Sequence, residues 1–123
     1  MNPEYDTTAR VRTITLSTHA PVRIREADWP IVSQSTHTDD RGANAEETTW
    51  IKIRRHSDGR TVVYGGCDVV HRGLAVQAPA LRGGELLPAG GDVVAAIWRL
   101  ARELDAPALC TREVIAKLPP VEI

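Results

Sequence analysis

The sequence predicts an α+β fold, an antiparallel β-sheet of about four strands with two C-terminal α-helices packed on one face. Three observations carry that expectation. Short stretches with period-two alternation (VRTITL, VRIR, WPIVSQS and the run WIKIRRHSDGRTVVYGG) fill the first half of the chain. Asp58-Gly59 stands between two alternating runs, a strong hairpin signal because these residues tolerate positive φ. The apolar residues then change to helical spacing beyond residue 92.

In order, residues 1–9 are polar and unpatterned and read as a flexible tail, leaving 10–123 as a single domain. Over Val11 to Leu16 the alternation sets Ile14 and Leu16 on one face and Val11, Thr13 and Thr15 on the other. In VRIR, Val22 and Ile24 point inward and Arg23 and Arg25 outward. Pro30 pushes Trp29 into extended geometry, and the following strand carries Ile31 into the core. Residues 36–48 lack apolar periodicity and read as a surface loop.

A two-residue Asp58-Gly59 turn sets Ile53 opposite Tyr64 and Arg55 opposite Val62. One hairpin face then holds Ile51, Ile53, Val62 and Tyr64, and the other holds Trp50, Lys52, Arg54, His56 and Val63. A slip of one residue would reverse one strand relative to the other. Residues 65–91 are rich in glycine and proline, with GLAVQA (73–78) as an edge-strand candidate. Asp92 is the expected N-cap of a helix bearing Val93, Val94, Ile97, Leu100, Ala101 and Leu104 on its apolar side, with Trp98 at the margin of that stripe. A second helix spans 108–118 and stops at Pro119-Pro120. The expected core comprises Ile31, Ile51, Ile53, Val62, Tyr64, Ile97, Leu100 and Leu104.

Composition narrows the function classes. The 123 residues, 42% hydrophobic and 25% charged, suit one folded core and argue against wholesale disorder. No apolar run approaches the roughly 18 residues that would span a bilayer, and the N-terminus lacks the apolar stretch of a secretory signal, so a cytoplasmic location without membrane contact is expected. Fifteen basic against 16 acidic residues give a net charge of −1, without the global excess of a dedicated nucleic-acid binder. Cys67 and Cys110 form no CxxC motif and read as reduced thiols.

Candidate chemistry is sparse. His37, Asp39 and Asp40 offer metal-ligand types without a recognised spacing. Cys67 and His71 offer a thiol and a base with no third, orienting group. The glycine pairs make no phosphate-binding loop. Neither a catalytic residue, a metal nor a cofactor is therefore expected. The best local candidate is the row Trp50, Lys52, Arg54 and His56, spaced about 7 Å apart along one strand face. A solvated sheet face, a contact for phosphates and a contact for an acidic protein all account for such a row.

The blocks ADWPIV (27–32), IKIRRHSDGRTVVYG (51–65), GGELLPAGGDVVAAIWRLA (83–101) and IAKLPPVEI (115–123) resemble a family of small uncharacterised proteins encoded on plasmids and integrative elements of Gram-negative bacteria. The chain differs from that pattern in the 36–48 and 67–82 segments. The resemblance implies a bacterial accessory protein from a mobile genetic element and supplies no functional residue. The expected function is a small non-enzymatic protein that binds a protein partner or self-associates. A nucleic-acid-binding accessory using the basic hairpin is the first alternative. A small enzyme or metal protein using Cys67, His71 and His37 is the second.

Overall fold

The computed structural model describes residues 10–40, 42, 45–71 and 80–120; the 1–9 tail and the GLAVQA stretch lie outside them. The elements run β1 (Val11–Ile14), β2 (Val22–Arg25), a 3₁₀ turn (Glu26–Asp28), β3 (Ile31–Asp40), β4 (Ala45–Arg55), β5 (Thr61–His71), β6 (Leu81–Leu87), α1 (Val93–Leu104) and α2 (Ala108–Ala116). Strands β3-β4-β5-β6 form a four-stranded antiparallel sheet in that order, and α1 and α2 pack on one face of it, as expected. β1 and β2 pair separately into a two-stranded sheet. That small sheet covers the opposite face of the large one, giving three layers.

The hairpin register departs from the expected one by a single residue, with large consequences. His56 N–H donates to Arg60 O at 2.9 Å, and Gly59 N–H donates to His56 O at 2.9 Å. Gly59 has φ 96°. This is a three-residue loop closed by a glycine bulge, not the two-residue turn. The extra residue pairs Arg54 with Val62, Ile53 with Val63 and Lys52 with Tyr64. Val63 therefore joins Ile51 and Ile53 beneath the helices, while Val62 and Tyr64 move to the face of Arg54 and Lys52.

Two apolar clusters result, one on each face of the sheet. Under the helices lie Ile51, Ile53, Val63, Leu87, Ala96, Ile97, Leu100, Leu104, Cys110 and Val114. Under β1 and β2 lie Ile14, Leu16, Ile24, Trp29, Val62 and Tyr64. Ile31 is the exception among the expected core residues, at 39% exposure. The cause is a register irregularity between Ile31 and Ser33 on edge strand β3. Ser33 and Ser35 then face α2 and donate to the carbonyls of Val114 (2.6 Å) and Cys110 (2.8 Å). Their small, polar side chains let the helix backbone approach closely.

Three further segments differ from expectation. Residues 36–40 and 45–48, read as loop, are strand: they run beyond the core, so both faces are polar and hydrogen bonding alone defines them. β5 continues through Gly65-Gly66, paired on both sides; glycine is required at 65 because a Cβ there would collide with the Trp50 carbonyl and crowd Leu104. β6 arises inside the Gly/Pro-rich segment, where Gly83-Gly84 breaks the alternation. α1 matches its expectation: Asp92 Oδ1 accepts from Ala95 N–H at 3.0 Å, and Asp105 ends the helix at φ 51°. α2 stops at Ala116, two residues early.

A basic cleft beneath the amino-terminal hairpin

The row Trp50, Lys52, Arg54 and His56 does not form an open, solvated face. β4 does alternate as expected, but β1 and β2 lie over this side of the sheet, driven there by the inward faces of VRTITL and VRIR. Arg54 is consequently only 5% exposed. It donates from Nε to the Tyr64 hydroxyl at 2.8 Å and from Nη1 to the Trp29 carbonyl at 3.0 Å. The side chain thus ties the sheet to the end of the 3₁₀ turn. His56 sits apart at the turn end, its ring 5.1 Å from that of Trp29, with Asp58 N–H donating to its Nδ1 at 3.1 Å.

Trp50 and Lys52 line or flank a different feature. Between β1 and the sheet runs a cleft of about 290 Å³, lined among others by Arg12, Thr13, Thr15, Trp50, Tyr64 and Arg82. Trp50 meets Tyr64 edge-on, with ring centroids 5.7 Å apart. Lys52 Nζ lies 5.3 Å and Arg82 Cζ 5.5 Å from the centre of the Trp50 ring. Gly66 stands opposite Trp50 in the ladder, and a Cβ there would come 2.5 Å from Arg82 Nη1. The glycine therefore leaves the space across which Arg82 reaches the tryptophan.

The charges do not balance. Arg10, Arg12 and Arg54 share one carboxylate, Glu26, at 3.8, 2.7 and 3.8 Å. Arg82 pairs with Asp68 at 3.0 Å. Among the described residues no carboxylate lies within ion-pair distance of Lys52. Burial pulls the Lys52 pKa below its ordinary value, and Arg12 and Arg54 push the same way against a smaller opposite pull from Glu26. The hydrogen bond from Arg12 holds the Glu26 carboxyl below the usual carboxylate range; partial burial opposes this, and Arg54 and Arg10 reinforce it. Arg23 and Arg25 are exposed on the outer face of β2, away from the sheet.

The remaining candidates are not drawn together. Cys67 and His71 are four residues apart on extended β5, about 13 Å along the strand, so thiol and imidazole do not meet. Burial raises the pKa of Cys67 and of Cys110. His37 Nε2 lies 3.1 Å from Asp39 Oδ1 on the far end of β3. No cluster of three metal-ligand side chains occurs among the described residues. No helix there is long and apolar enough to cross a membrane.

Sequence reading missed Arg12, Glu26 and Arg82 as members of the site. A signal for Arg12 existed: with Ile14 and Leu16 facing inward, the alternation puts Arg12 on the same face. Arg82 had none, because Gly83-Gly84 hides its strand. Comparison with family models, curated proteins and solved structures finds no match. The cleft is read from its own chemistry.

Proposed function

We propose that the protein is a non-catalytic binding module that takes a phosphate-bearing anion in the cleft between β1 and the central sheet. The observation that carries this reading is the charge excess at and around the cleft: Arg12 and Arg82 line it, Arg10, Lys52 and Arg54 lie close by, and among the described residues only Glu26 and Asp68 pair with these five cations. A cation without a partner in a partly desolvated cleft is stabilised by an arriving anion more strongly than one in open water. Arg12 and Arg82 supply planar donor groups suited to phosphate oxygens, and Lys52 supplies a point charge. The raised thiol pKa values and the distance between Cys67 and His71 favour binding over nucleophilic catalysis. A cytoplasmic accessory role on a mobile element, with nucleic acid as the anion, is the form of this proposal most compatible with the family resemblance.

The test is titration calorimetry with a single-stranded oligonucleotide, a mononucleotide and inorganic phosphate, on wild type, Lys52→Ala and Arg82→Ala. Binding that weakens with salt, and whose log–log slope falls by about one unit per removed phosphate contact, supports the proposal. Preference for the oligonucleotide over the mononucleotide identifies a polymer ligand, and the reverse a small one. Absence of binding to all three probes, or affinity unchanged by both substitutions, sinks it. Self-association is a second reading, favoured by a separate surface.

A further inference from the structure

Helix α1 carries an outward stripe on the side of the molecule away from the basic cleft. Val94 is 41% and Trp98 42% exposed, large values for apolar residues on an ordered helix. At the start of α2, Leu109 is 70% exposed. Beside Trp98 a groove of about 340 Å³ runs between the helices, lined by Trp98, Ala101, Arg102, Asp105, Ala106 and Ala108. The floor is built of alanines, and no large side chain among the described residues fills it.

The charges of α1 divide in the same way. On its other flank Arg99 makes a bidentate contact with Glu85 (3.1 and 2.8 Å), and Glu103 accepts from Ser17 at 2.6 Å. On the groove rim, Arg102 and Asp105 have no ionic partner among the described residues. This patch therefore presents a bulky ring and a vacant groove, together with one cation and one anion.

We infer that this groove is the docking surface for a second copy of the chain, in a two-fold contact that seats Trp98 of each protomer against the alanine-lined floor of the other. A two-fold interface requires one patch to be complementary to itself. Here the ring matches the groove and Arg102 matches Asp105, whereas an unrelated partner would require only one half of each pair. The inference is independent of the anion site, since the central sheet separates the two.

Light scattering and sedimentation of the full chain over a range of concentrations test it. The expected result is a concentration-dependent dimer. Trp98→Lys should abolish it, and Ala108→Trp, which plugs the groove while leaving Trp98 in place, should abolish it too. Asp105→Asn keeps a side chain tolerated at positive φ and removes the charge; it should raise the dissociation constant about tenfold. Circular dichroism establishes that each variant is folded, and Ala108→Trp decides the matter should Trp98→Lys fail that check. A monomer up to millimolar concentration, or a dimer indifferent to both Trp98→Lys and Ala108→Trp, overturns the inference.

Discussion

On its helix side the central sheet buries Ile51, Ile53 and Val63 against Ile97, Leu100, Leu104 and Val114, with the hydroxyls of Ser33 and Ser35 bonded to α2 carbonyls and no charged side chain in the cluster. On its hairpin side it buries Val62 and Tyr64 against Ile14, Ile24 and Trp29, but sets Arg54, Glu26, Arg12 and Lys52 among them. The first layer is held by non-directional apolar burial. The second depends on directed hydrogen bonds and one shared carboxylate, interactions that change with pH and ligand. One sheet thus has a face suited to stability and a face suited to response.

The largest effect should come from the helix side. Leu104→Ala or Ile97→Ala, both fully buried, is expected to cost about 2–5 kcal/mol, measured as a lower denaturant midpoint with an unchanged slope. Arg54→Met should cost less, about 2 kcal/mol, because it strips the Tyr64 hydroxyl and the Trp29 carbonyl of their donor. A cost as large as that of Leu104→Ala would mean that the faces do not differ as described.

Glu26 sharpens the comparison through pH. Its folded pKa is lowered, so its contribution to stability is present above the unfolded pKa and is lost as pH falls through the folded one. Glu26→Gln should therefore reduce the acid dependence of stability below the ordinary carboxylate range, in denaturation curves compared at several pH values. Lys52 acts in the same direction at alkaline pH and should have the smallest effect. Its folded pKa is also lowered, so the unfolded state holds more protons between the two values and stability rises with pH across that window. Lys52→Met should flatten that alkaline rise. Equal slopes for wild type and variant would show that Lys52 is not desolvated.

What could be read from the chain follows from how many levels of signal agreed. α1 was legible because an N-cap, a helical period and a terminating segment coincide at Asp92, Ile97 and Asp105. The hairpin was legible, but its register was not, since Asp-Gly suits both a two-residue turn and a three-residue loop with a bulge. The tie could have been broken by the next strand, yet Thr61-Val62-Val63-Tyr64 has adjacent valines, and either one fits the core. Trp50, Lys52 and Arg54 do share one face of β4, as the alternation implies. That this face is covered is not legible locally, because the cover, β1 and β2, is distant in sequence.

The bulged turn at Gly59 also bears on how this protein can vary. Loop tips are ordinarily where chains tolerate gained or lost residues, because little depends on their length. Here one residue decides which valine lies beneath the helices and which lies beneath the hairpin. A single deletion in residues 57–59 would exchange them and carry Tyr64 away from Arg54, altering both layers together. Length variation at this tip should therefore be among the least tolerated changes in the chain, even though Ser57, Asp58 and Gly59 belong to neither cluster.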